Sequence, residues 1–93
     1  MCENEILFFL LGEREYIGGE VRSRNPKEIV VITDSTYEIT QKGTLLKEGK
    51  CEIDGNSVRF LFTADTVGEF TVKITASVGA ETVITKRTLV VRE

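Results

Sequence analysis

Three aspartates, Asp34, Asp54 and Asp65, are the residues best placed to do chemistry, because each falls at the expected end of a strand. Carboxylates clustered in loops are what a calcium ion takes as ligands, but calcium needs six or more converging oxygens and usually a D-x-D-x-D-G loop. That loop is missing here, and a short aspartate beside a turn ordinarily bonds its own backbone. The chain has no histidine, so the commonest general base and transition-metal ligand is absent. Its two cysteines, Cys2 and Cys51, are too few for structural zinc and are read as free thiols, Cys51 half-buried in a strand. No Ser-x-x-Lys or Gly-x-Ser-x-Gly spacing activates a serine. No glycine-rich loop opens a helix to cradle phosphate. The expectation is a protein without catalytic, cofactor or metal residues, so not an enzyme.

What remains is surface chemistry. Arg22, Arg24 and Lys27 make a small basic loop around Pro26 that could meet an acidic patch or a phosphate, or simply be solvated. A formal charge of −3 argues against nucleic acid as the main partner. The run Ile6–Leu11 is apolar throughout. It is too short to span a membrane, and its acidic flank, Glu3 and Glu5, does not suit a signal peptide. The expectation is synthesis in the cytoplasm without export or membrane insertion. In a strand, Phe8 and Phe9 face opposite ways. With Phe8 inside, Leu7, Phe9 and Leu11 form an outward apolar patch. That patch is either covered by the rest of the domain or is a contact surface for a protein partner or a second copy.

The elements that would position these residues are strands. Ninety-three residues make one domain, residues 1–93. Hydrophobic residues are 41% and charged ones 29%, which is ordinary for a folded soluble chain. The apolar period is two. Phe70, Val72, Ile74, Ala76 and Val78 alternate with Glu69, Thr71, Lys73, Thr75 and Ser77. Val58, Phe60 and Phe62 alternate with Ser57, Arg59 and Thr63, with Leu61 an apolar exception on the outward side. Cys51 and Ile53 are expected on one face and Glu52 on the other. Asp54-Gly55-Asn56-Ser57 reads as a tight turn, and Val78-Gly79-Ala80-Glu81 as a type II′ turn. Gln41-Lys42-Gly43 and Glu48-Gly49-Lys50 read as further turns, and Gly18-Gly19 as a bulge or kink. The expected strands are 5–11, 15–21, 28–33, 35–41, 44–48, 50–54, 57–63, 69–78 and 82–91, in a two-sheet sandwich or a barrel.

The stretch "ADTVGEFTVKI" resembles the corner that leads into strand F of immunoglobulin-like sandwiches, with Asp65, Gly68 and Phe70 in the matching order. Phe70 stands where that corner carries a tyrosine, Val72 stands where antibody domains carry a cysteine, and there is no tryptophan. From Ser35 to Val91 the chain is similar to small immunoglobulin-like proteins of tailed-phage and prophage structural regions. The shared cadence is "TYxI", a turn, "xGxCxIDGxxV", "xGxFTVxxT", a hairpin and "RTxxV". The resemblance implies an all-β, immunoglobulin-like, antiparallel two-sheet β-sandwich of about seven to nine strands. It implies a structural or interaction role in a virion or its assembly. An adhesion module of a bacterial surface protein, binding protein or carbohydrate, is the alternative.

Overall fold

Strict alternation drives the architecture. A strand with one apolar face must bury it, and two such sheets stacked face to face satisfy each other. The computed structural model describes residues 5–21 and 30–93. They form eight strands: β1 (Glu5–Leu10), β2 (Arg14–Glu20), β3 (Ile32–Gln41), β4 (Thr44–Lys50), β5 (Glu52–Asp54), β6 (Ser57–Thr63), β7 (Gly68–Val78) and β8 (Glu81–Arg92). One sheet has five strands in the order β1-β8-β7-β3-β4, and the other has three in the order β2-β6-β5. The chain is an all-β two-sheet sandwich.

The core lies between the sheets. Phe70, Val72, Ile74 and Ala76 of β7, Leu89 and Val91 of β8, and Ile39 of β3 are buried from one side. Ile17 of β2 and Val58, Phe60 and Phe62 of β6 are buried from the other. Two aromatic pairs bridge the sheets. Tyr37 of β3 stacks on Phe60 with ring centroids 3.9 Å apart. Phe9 of β1 tilts onto Phe62 at 5.1 Å. Each such pair adds about 0.5–1.5 kcal/mol beyond the area it buries.

The chain crosses between sheets at points where backbone bonds hold it. Between β1 and β2, the Leu11 amide donates to the Arg92 carbonyl and the Gly12 amide to that of Ala64, while the Ala64 amide donates to Glu13. Between β4 and β5, the Cys51 amide donates to the Ser35 carbonyl. Gly79 sits at φ 59° while Ala80 stays at negative φ, and Val78 pairs with Glu81, as a type II′ hairpin requires.

The structure corrects several expectations. β1 pairs with β8 in parallel, so the five-stranded sheet is mixed rather than wholly antiparallel. Gly18-Gly19 is neither a bulge nor a kink, since β2 and β6 pair in unbroken register through both. Gly18 is needed for close approach: a Cβ there would lie 2.0 Å from the Val58 carbonyl oxygen. Glu48-Gly49-Lys50 is not a turn but the end of β4, where Gly49 pairs with Tyr37 and leaves room for its ring. Ile53 is exposed although Cys51 is buried, because the chain changes sheets between them. The separate strand expected at 28–33 is not formed: Val30 and Val31 are not in a strand, and Ile32 and Thr33 already belong to β3, while Pro26, Glu28 and Ile29 lie outside the described residues.

Removing the core's largest β7 side chain tests this arrangement. Phe70→Ala should cost about 3–5 kcal/mol in a urea melt. Gly18→Ala should cost about 1–3 kcal/mol by forcing β2 away from β6. A loss under about 1 kcal/mol for Phe70→Ala, below the range for such truncations, would mean that its face of β7 is not the core.

Candidate interaction surface

Among the described residues the two sheets have four edge strands, β1 and β4 of one sheet and β2 and β5 of the other. An edge exposes unpaired N–H and C=O groups, and natural edges are protected by charge, proline, shortness, bulges or a covering loop. β4 carries Lys47, Glu48 and Lys50, and its register slips between Lys47 and Leu45. β5 is three residues long and two of them, Glu52 and Asp54, are acidic. β2 carries Arg14, Glu15 and Glu20. β1 differs: from Ile6 to Leu10 it has no charge, proline or glycine.

The outward side chains of β1 are Ile6, Phe8 and Leu10, exposed by 56%, 62% and 58%. This reverses the parity expected from the sequence. Phe9 is buried, because the parallel register sets Leu7 beside Leu89 and Phe9 beside Val91, both in the core. Leu7 is half-buried against that core and does not belong to the outward stripe. Leu11 is exposed but lies in the turn after β1. Arg22, Arg24 and Lys27 lie outside the described residues. The stripe that takes the patch's place amounts to roughly 300 Å² of apolar surface, at the lower end of the largest patches on typical monomers. Arg92 sets its guanidinium 5.2 Å from the centre of the Phe8 ring.

The edge is closed at one end. The Leu10 amide donates to Glu13 Oε1, and the Glu13 amide donates back to the Leu10 carbonyl. The Leu11 amide turns the other way, to Arg92 of β8. Amide direction alternates along a strand. The open edge of β1 is therefore lined by the N–H and C=O groups of Ile6 and Phe8.

The outer face of the small sheet carries a second cluster. Tyr16 pairs with Leu61, which explains the apolar exception on β6: both are exposed and they meet across the strands. Arg59 places its guanidinium 4.1 Å from the Tyr16 ring centre and donates from Nε to Glu52 Oε2 at 3.0 Å. So exposed an ion pair adds little stability.

Two of the three candidate aspartates are occupied locally. Asp34 accepts the Ser35 amide at 3.0 Å, and Asp65 accepts the Thr66 hydroxyl at 3.3 Å. Among the described residues no three carboxylates or cysteines converge on a metal-sized site. Cys51 is a free, buried thiol, while Cys2 lies outside the described residues. Burial pushes the Cys51 thiol above its usual range, and a hydrogen bond with Ser35 partly offsets the rise. Ser35 is itself buried and donates its hydroxyl to the Thr75 carbonyl at 3.0 Å. No helix among the described residues is long and apolar enough to cross a membrane.

No family model matches the chain, and no curated protein matches it. Solved structures do resemble it. An engineered protein superposes with a TM-score of 0.76 at 15% identity, covering 97% of this chain and 18% of that one. A presumed glycoside hydrolase from Bacteroides vulgatus superposes with a TM-score of 0.52 at 16% identity, covering 98% of this chain and 17% of that one. At this identity the likeness is one of fold. This chain spans less than a fifth of the length of either.

The Cys51 environment makes a pH prediction. The folded thiol keeps its proton to higher pH than the unfolded one. The stability this contributes is complete below about pH 8.5 and is lost as pH rises through the folded value. Between pH 7 and 10, wild type should therefore lose more stability in urea melts than Cys51→Ala does. Identical losses would show that the thiol is not desolvated.

Proposed function

We propose that this chain is a non-enzymatic structural or interaction module of immunoglobulin-like topology, acting in the particle or the assembly of a tailed phage or prophage. The strand order supports the topology. β2-β6-β5 corresponds to strands B-E-D of that fold, and β8-β7-β3-β4 to G-F-C-C′, with β1 added beside G. Ile17 of β2 and Val72 of β7, both buried, stand on the two strands that a disulfide joins in antibody domains. The phage setting rests on the cadence from Ser35 to Val91.

The non-enzymatic reading rests on how the nucleophiles are held. A reactive thiol is exposed and has a lowered pKa, whereas Cys51 is buried with a raised one. Ser35 is buried and its proton is committed to a carbonyl.

One observation carries the role. Of the four edges among the described residues, β1 alone combines an apolar outward stripe with open backbone groups, those of Ile6 and Phe8. Such an edge takes an extended segment as an added strand: backbone bonds give affinity and alternate side chains give specificity. The second reading is an adhesion or carbohydrate- or protein-binding module of a bacterial surface protein, and the two solved neighbours show that this fold occurs within longer chains. In both, the matching domain is a small part of a much longer chain. There the exposed Tyr16 ring would be the surface on which a sugar stacks.

The test uses an extended peptide of alternating valine and threonine, titrated into dilute isotopically labelled protein. The amides of Ile6 and Phe8 should shift, and Phe8→Asp should weaken binding about tenfold or more, the cost of setting a charge in an apolar contact. Shifts that avoid β1 would refute strand addition there. Shifts centred on Tyr16 with a soluble oligosaccharide would favour the second reading.

A further inference from the structure

We infer that the segment that pairs with β1 is β1 of a second copy of this chain, running antiparallel with the two-fold axis at Leu7. The inference rests on the reading of β1 as an interaction edge and adds what occupies it.

The register follows from which backbone groups are open. A two-fold antiparallel pair matches residues whose numbers have a constant sum, and that sum must be even so that outward side chains meet outward ones. An axis at Phe8 sets Ile6 against Leu10 of the second copy. The Leu10 amide and carbonyl are already engaged with Glu13, so that register loses bonds at both ends. An axis at Ile6 would set Phe8 against the sequence position of Asn4, an apolar side chain against a polar one. An axis at Leu7 sets Ile6 against Phe8 of the second copy, and Phe8 against Ile6. These are the residues whose N–H and C=O groups line the open edge, so each set satisfies the other and Glu13 stays in place.

The side chains agree with this register. Ile6 and Phe8 of both copies form one apolar block on the outer face. On the inner face Leu7 meets Leu7 of the second copy across a pair without hydrogen bonds, where the Cα atoms approach to about 4.5 Å. Leu7 is half-buried in the single chain and would become covered. The two five-stranded sheets join edge to edge into one. The contact is small, below the roughly 1,200–2,000 Å² of stable complexes, so the dimer is reversible, with a Kd between about 10 μM and 1 mM.

Two measurements decide it. In sedimentation equilibrium, wild type should show concentration-dependent dimerisation that Phe8→Asp weakens at least tenfold, and that high salt leaves nearly unchanged. In a Cys2→Ser background, Leu7→Cys should oxidise to a disulfide-linked dimer faster than Phe8→Cys. Collision alone predicts the reverse, because Phe8 is the more exposed. Only the Leu7 pair would bring its two Cα atoms within the roughly 7 Å a disulfide spans. A wild type monomeric to about 1 mM, the weak limit of the expected range, would overturn the inference. Phe8→Cys linking as fast as Leu7→Cys would overturn the register. If the alternating peptide still shifts Ile6 and Phe8 in a monomeric protein, the interaction edge stands and its partner is another chain. If neither occurs, both readings fall.

Discussion

The inner face of β7 is the constraint on which the rest of the molecule leans. β7 is paired on both flanks, with β8 and β3, and it buries Phe70, Val72, Ile74 and Ala76 against the opposite sheet. Each large apolar side chain so buried contributes about 1.5–3 kcal/mol relative to exposure. Because the side-chain period is two, a one-residue slip of β7 would turn all four into water at once. That fixes the register of β8 and β3. The register of β8 in turn fixes β1, since Leu89 and Val91 point inward and their parallel neighbours Leu7 and Phe9 must follow. The exposure of Phe8 is thus settled by β7, two strands away in the sheet.

The unequal sheets decide where the surface is free. Five strands stacked on three cannot all be covered, so the outer strands depend on local contacts. β4 answers with charge and a register slip. β1 is held from inside by Phe9 on Phe62, which ties it to the small sheet although among the described residues it pairs only with β8. The same strand is therefore anchored by one face and left open along its edge and on its other face. A rigid strand with an open edge loses little conformational freedom when a partner adds to it, which is what makes small contacts on it worthwhile.

Where alternation is unambiguous, the fold was legible in the chain. β6, β7 and the β7–β8 hairpin follow from residue types alone, and so does the placement of Phe60, Phe62 and Phe70 in the core. The β1 stripe was not legible. Ile6–Leu11 is apolar at every position, so period two carries no information about which side faces in. The choice is made by the partner strand, a long-range contact. Gly18 and Gly49 misled for a related reason. A glycine read locally means a turn or a bulge, but here each answers to an atom on a neighbouring strand. Ile53 failed where the chain changes sheets, because alternation has meaning only within one sheet.

Glu13 shows how an open edge can be kept without becoming a hazard. A long, flat, apolar edge templates uncontrolled pairing, because every exposed N–H and C=O invites another strand. On β1 the Glu13 carboxylate and amide take both groups of Leu10, and the chain then turns away toward β2. Pairing is left to Ile6 and Phe8, separated by one residue whose groups point to β8. Two such residues allow four backbone bonds, and a partner shifted toward Leu10 would have to displace a charged side chain. The sandwich therefore places this edge protection at one end of the apolar stripe, on Leu10, rather than along it.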